Sequence, residues 1–404
     1  MALAALGWLG WQIMFGDFQP FEVEAFWIGA VATIACLADP GAVRRFPAAL
    51  VLYVLAAVVS SFVHNWHDVN RDGVFAWSLV FGPVDYLLYM LVFVFGAAYV
   101  LRTRQRQAWF VVLLSAAIVV LAGQLLFDRA VSAFVYNRAD RTFIPSVSQW
   151  SGLHQLGLVF VVGLPLCLSV SMARSGFWST LSGLVLAAFL MGVGWINGSK
   201  SSILIMGVLP LLIGAALLVS HRTGRVTLRT SVAAIVAALC CGMAVFAVSG
   251  MAFTSLTGDR APIWNAAWHM FLDHPWFGVG PRGYSDAVQL GGYAEQFIPW
   301  FPENRGGTEN AHNLALQTAV ETGLVGVVSL MWFFVWAARS SYVARGGARA
   351  VSFAVSFAIV GLGLRFLFDN FWALDFFTDR IKPFAWFLFA AAVALARLPE
   401  RESA

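Results

Sequence analysis

The chain is 404 residues long, with 60% hydrophobic and 11% charged residues, a formal net charge of +4 and a mean hydropathy of +0.77. This balance excludes an ordinary soluble domain and marks a polytopic membrane protein. In such a protein a small positive charge speaks to the orientation of loops, so no nucleic-acid partner is expected.

The apolar runs repeat at lengths of about 17–25 residues, as membrane-spanning helices require, and not as alternating segments of roughly 10 residues that a barrel would need. The expected fold is all-α. It is a single integral membrane domain over residues 1–404 with about twelve transmembrane helices, near 2–15, 21–38, 46–63, 82–101, 108–126, 152–173, 178–196, 202–220, 230–250, 311–338, 350–369 and 382–398. Residues 1–15 lack the basic segment and small-residue cleavage site of a signal peptide and read as a short first span. Cys36, Cys167, Cys240 and Cys241 lie inside apolar runs without C-x-x-C spacing, which argues against disulfides and a thiolate metal site.

Between the spans, the polar segments differ in character. His64, His67 and Asp68, in F-V-H-N-W-H-D, have weak metal spacing and no third ligand, and read as an interfacial loop. Residues 127–150 carry Arg129, Arg138 and Arg141 among Asp128 and Asp140. In N-G-S-K-S-S the turn is so short that the Lys200 ammonium stays near the membrane surface, either snorkelling to headgroups or holding an anion. Residues 251–310 form the longest loop, and a connection of that size usually has a purpose.

Within that loop, residues 260–275 read R-A-P-I-W-N-A-A-W-H-M-F-L-D-H-P. Asp259 can cap this segment, Pro262 suits a first turn, and Trp264, Trp268 and Phe271 recur at i, i+4 and i+7. The pattern predicts a short amphipathic helix with its aromatic face on the lipid interface. The remainder, punctuated by Gly and Pro, is expected to be irregular.

Residues 310–326, N-A-H-N-L-A-L-Q-T-A-V-E-T-G-L-V-G, close the loop and enter the next apolar run. Asn310 is the expected N-cap, which puts His312 in the first helical turn, where unpaired N–H groups and the helix dipole favour an anion. At 100° per residue, His312, Leu316, Ala319, Gly323 and Gly326 share one stripe, so the two glycines mark a face that another helix can approach closely.

Twelve spans put both termini on one side. With cytoplasmic termini, 14 of the 25 Lys and Arg residues fall in short, nearly acid-free cytoplasmic loops, and the long loops lie outside. Arg138, Arg141, Lys200, Arg260, Arg282 and Arg305 then belong to the outer half. Guanidinium forks suit phosphate oxygens, and several of them together imply an anion the size of pyrophosphate. Arg365, near the outer end of the eleventh span, reads as a structural pair with Asp369.

No D-x-D, H-E-x-x-H, P-loop or G-x-S-x-G pattern occurs, so no metal, cofactor, nucleotide chemistry or serine hydrolase is expected. Imidazole beside an anion-holding group has what a general base needs. The reaction that fits His312 is glycosyl transfer from a polyprenyl pyrophosphate. Its leaving group is a stable anion that needs cations, while the acceptor hydroxyl needs a base.

At these residues the chain resembles the O-antigen ligase family. The family motif is H, then N, S or Q, nine residues, G, two residues, and G, T or Y. It stands here as His312, Asn313, residues 314–322, Gly323, Leu324, Val325 and Gly326. Upstream, G-D-R-A-P-I-W and H-P-W-F-G-V-G-P-R-G-Y are similar to the family's pattern of Arg and Trp leading into P-x-x-G-x-G. Where many members have an S-R-G-like turn, this chain has Ser199, Lys200 and Ser201, which keeps the positive charge.

The resemblance implies a GT-C-like, metal-independent, inverting enzyme of the Gram-negative inner membrane with a periplasmic active site. It would move O-antigen from undecaprenyl pyrophosphate, the donor, to lipid A-core, the acceptor. His312 and Arg260 would be catalytic, with Arg138, Arg141, Lys200, Arg282 and Asn313 binding the pyrophosphate or substrate, and Gly323 and Gly326 serving helix packing. Membrane lipids complete the expected partners. The alternatives are an O-antigen polymerase or a protein O-oligosaccharyltransferase using the same donor and, from a different class, a lipid-linked glycan transporter. The transporter would call for internal repeats and charges near the membrane midplane.

Overall fold

A computed structural model of the chain describes residues 47–72, 101, 103–136, 153–173, 177–197, 200–223, 260–281, 283–301, 310–342, 349–367 and 381–396. Among the described residues the regular structure is helical throughout, without a strand. The helices are α1 (Ala48–Asp72), α2 (Arg104–Tyr136), α3 (Leu153–Ala173), α4 (Phe177–Asn197), α5 (Lys200–Thr223), α6 (Arg260–Asp273), α7 (Tyr284–Leu290), α8 (Tyr293–Phe297), α9 (Leu314–Tyr342), α10 (Arg349–Phe366) and α11 (Ile381–Ala396). Helices α1 to α5 and α9 to α11 fall on predicted spans. The spans expected near 2–15, 21–38 and 230–250, and that near 82–101 except for Leu101, lie outside the described residues. Among the described residues two stretches, Arg104–Phe127 and Leu314–Ser341, are long and apolar enough to cross a membrane.

Helix α3 is apolar on every side, and such a helix belongs in the middle of a bundle. Its residues Leu158, Phe160, Val161, Val162, Leu164 and Cys167 are fully buried, and it packs against α4, α10, α5 and α2. Small residues set the closest approaches: a Cβ at Gly163 would lie 2.6 Å from Ile118 of α2, and one at Gly361 of α10 would lie 3.0 Å from Val161. Several buried serines return their hydroxyls to their own helix, as Ser115 does to Val111 O at 2.7 Å and Ser341 to Ala337 O at 2.6 Å, which satisfies them in an apolar setting.

The far part of α9 is held to α10 and α11 by aromatic rings. Phe333 and Phe334 meet Phe389 at centroid distances of 4.8 and 5.0 Å, and Phe334 meets Phe366 edge-on. Each such pair contributes about 0.5–1.5 kcal/mol beyond simple burial. Outward from the described bundle, Leu52, Leu55, Val59 and Phe62 of α1 form one exposed stripe, and Val325, Val328, Trp332 and Val335 of α9 form another. Both follow i, i+3, i+7, i+10 spacing. Apolar faces of this extent suit lipid and not water.

The described part of the long loop, residues 260–281 and 283–301, is more ordered than its Gly and Pro content predicts. Besides the expected α6, it contains the short helices α7 and α8. The physical reason is a second, separate core, in which Ile263, Ala266, Ala267 and Met270 of α6 pack with Val279, Tyr284, Val288, Ala294, Ile298, Ala311 and Val320. A fully buried Ile or Met side chain is worth roughly 1.5–3 kcal/mol, enough to organise short helices that would not form alone. The tightly packed face of α6 is therefore this aliphatic one. Of the aromatic residues, Phe271 packs against the edge of this core and Trp264 is partly buried, while Trp268 is exposed, 5.5 Å from the Phe271 ring.

Tyr293 of α8 ties back to the end of α6 by donating its hydroxyl to Asp273 Oδ2 at 2.6 Å. Burial, together with this bond and the carboxylate charge, pushes its pKa from 10.0 up to about 12. A raised phenol pKa means that the stabilisation is fully present below pH 10 and is lost as pH rises through about 12. The tyrosinate absorbance of the protein minus that of Tyr293→Phe is expected to titrate near pH 12, and in an Asp273→Asn background nearer the ordinary value. A midpoint near 10 in the unmodified protein would contradict the bond.

Candidate functional site

Helix α9 is not continuous. Gly323 has φ 70° and ψ −169°, which divides it into residues 314–322 and 324–342. In an unbroken helix the Leu324 N–H would donate to Val320 O. Here it donates to Pro275 O at 2.8 Å, while Val320 O and Glu321 O accept from the N–H groups of Val279 (2.7 Å) and Gly280 (3.1 Å). Residues 275–280 thus cross the break and complete its hydrogen bonding, which is the condition for irregular backbone at membrane depth. Ser60 of α1 adds a further donor, its Oγ lying 2.6 Å from Glu321 O.

This crossing gives the P-x-x-G-x-G segment a physical meaning. A Cβ at Gly278 (φ 68°) would sit 2.3 Å from Val320 O, and one at Gly323 would sit 2.1 Å from Trp276 O. No side chain fits between the two backbones. Gly280 lies against the His64 ring of α1, 3.1 Å from it by the same measure.

The histidine loop enters α9 differently from the expectation. The helix starts at Leu314, and its N-cap is Asn313, whose Oδ1 accepts the Leu316 N–H at 3.1 Å. Asn310 instead accepts the His312 N–H at 3.0 Å. His312 therefore precedes the helix, and the stripe drawn from it through Gly323 is not one helical face. His312 is partly exposed, with φ at 46°, a left-handed conformation uncommon for a residue other than glycine. Such strain, about 1–3 kcal/mol, persists where surrounding bonds over-determine it. Asn313 supplies one of them across helices, since its Nδ2 donates to Leu367 O just past α10 at 2.9 Å.

Beneath the loop lies a buried polar row. The Ala311 N–H donates to Gln317 Oε1 at 2.8 Å, and Gln317 Nε2 donates to Glu321 Oε1. Gln317 and Glu321 are both buried inside the apolar stretch Leu314–Ser341. Tyr284 of α7 is buried in the neighbouring core, and burial, reinforced by the Glu321 charge, raises its phenol well above the ordinary tyrosine range.

Of the other residues singled out in the sequence, Arg260 stands at the first position of α6, a helix packed on α9 and joined at its far end to the crossing. Lys200 opens α5, and the same first turn holds Ser202, whose Oγ accepts from Arg365 Nε at 3.1 Å. Arg365 is fully buried. Asp369, the partner expected for it, lies outside the described residues, as do Arg138, Arg141, Arg282 and Arg305. Gly326 is helical, and its missing Cβ leaves room for Thr322 and, across the interface, Ala56 of α1.

Sequence reasoning passed over Ser60, Gln317, Glu321 and Ser202. For Glu321 a signal existed, since a carboxylate inside an apolar run is costly and is kept for a reason. Ser60 and Ser202 are ordinary small polar residues whose roles come from distant partners, and Gln317 takes its role from partners four and six positions away.

The fold and site define a membrane-associated protein, helical throughout its described residues, in which a folded loop segment is docked through its backbone onto a broken helix, beside a strained histidine turn. Residues 158–331 match the family model described as O-antigen ligase. This match, over less than half of the chain, is a similarity to that family; it agrees with the motifs and suggests ligase- or polymerase-type activity. No match to the chain was found among curated proteins.

Proposed function

We propose that the protein transfers O-antigen glycan from undecaprenyl pyrophosphate to lipid A-core on the periplasmic face of the inner membrane, with both of its termini cytoplasmic. The acceptor hydroxyl oxygen attacks the anomeric carbon from the face opposite the pyrophosphate. The bond from that carbon to the pyrophosphate oxygen breaks, inverting the centre, and the hydroxyl proton passes to the His312 imidazole. The pyrophosphate leaves as an anion, neutralised by Arg260 together with Arg138, Arg141, Lys200 and Arg282. No metal ion or cofactor enters. The observation that carries this reading is the His312 turn, partly exposed and pinned by neighbouring amides, inside the segment that matches the family.

The test is transfer by purified protein in bilayers supplied with lipid-linked glycan, with and without lipid A-core. A core-linked product requiring both substrates supports the reading. Glycan lengthened from donor alone would instead make the protein a polymerase, and absence of any covalent product would favour transport. In the same assay Arg260→Ala is expected to weaken donor binding by about 10–100-fold, the worth of one or two charge-assisted hydrogen bonds. Unchanged donor affinity would remove Arg260 from the pyrophosphate site.

A further inference from the structure

We propose that Gln317 and Glu321 are positioning residues for His312, forming an amide–carboxylate relay that sets the histidine turn from the point where residues 275–280 cross α9. The proposal rests on the reading of His312 as the base. The turn is anchored from above by Asn310 and Asn313, whose side chains are partly exposed. From below it is anchored by Gln317, through the Ala311 N–H, one residue before His312.

A side-chain amide can present either end to a neighbour, so Gln317 by itself would not define the bond. Glu321 removes the ambiguity. A carboxylate oxygen accepts and does not donate, so it holds the Nε2 end of Gln317 and leaves Oε1 for Ala311. Glu321 is itself fixed at the crossing, where its main-chain carbonyl receives the Gly280 N–H and the Ser60 hydroxyl. Three buried links therefore run from the docked loop to the residue beside the base. Two polar side chains at 4% and 3% exposure inside an apolar helix are costly unless such a network satisfies them.

The experiment uses full-length protein in bilayers, with polyprenyl-pyrophosphate glycan and lipid A-core as substrates. It compares Gln317→Leu, Gln317→Glu and the exchange Gln317→Glu with Glu321→Gln, recording kcat, both KM values and thermal unfolding. Both single variants are expected to lose about 10–100-fold in kcat, the effect of a base displaced by around an ångström, with KM values changed by no more than about threefold. In the exchange, the carboxylate at 317 can accept the Ala311 N–H and the amide at 321 can donate to it, so most of the kcat should return. In a His312→Ala background, Gln317→Leu should cause no further loss.

Unchanged kcat in Gln317→Leu overturns the relay, and so does a KM rise as large as the kcat loss. If the single variants unfold, a folded exchange variant whose kcat is no better than residual overturns it as well. Turnover retained by His312→Ala would instead remove the base reading beneath it. A His312→Ala variant that is inactive beside a fully active Gln317→Leu would remove the relay alone.

Discussion

Replacing His312 with alanine is expected to lower glycan transfer by a factor on the order of 10²–10⁴, the usual contribution of a general base, while the chain still folds and inserts. The imidazole is partly exposed and belongs to no core cluster, and the bond from Asn310 reaches the main-chain N–H, which alanine keeps. The expected loss is therefore chemical and not structural. It should appear in kcat with the thermal unfolding curve nearly unchanged. Turnover by the alanine variant close to that of the parent would show that the acceptor hydroxyl needs no base from this residue.

The second large effect is expected at Gly323. Its φ of 70° with ψ of −169° is a conformation essentially confined to glycine, and a side chain would point straight at the Trp276 carbonyl, 2.1 Å from the Cβ position. Gly323→Val should cost at least about 1–3 kcal/mol from backbone strain and should force residues 275–280 off the helix. Because the same crossing anchors α6 and Glu321, transfer should fall together with stability, and the loop should become open to proteolysis. Gly207 of α5 provides the contrast, since nothing lies within 4 Å of its Cβ position. Gly207→Ala should be neutral or slightly stabilising, by up to about 1 kcal/mol. A Gly323→Val protein with parental stability and activity would show that α9 works equally well unbroken.

Both predictions concern the same seventeen-residue stretch, and they separate what could be read in it from what could not. The family motif is visible in residues 312–326 as a string of residue types, yet nothing in the string shows that Gly323 is a break and not a packing glycine. The Asn310 N-cap was a reasonable expectation on local chemistry. Asn313 takes that role because its amide also reaches Leu367 O at the end of α10, a contact between residues 54 positions apart. One partner of Arg365 is likewise remote, since Ser202 is 163 positions away.

The sequence by itself determined the helical class of the described residues, the places of the described long helices, the existence of α6 and the resemblance to the family. These follow from run length, periodicity and motif, which are properties of neighbouring residues. The tertiary structure decided that the long loop folds around its own core, that α9 is broken, and that residues 275–280 complete it. The physical reason is that backbone groups must be satisfied somewhere, and the sequence of one segment does not say whether its partner is four residues away or forty.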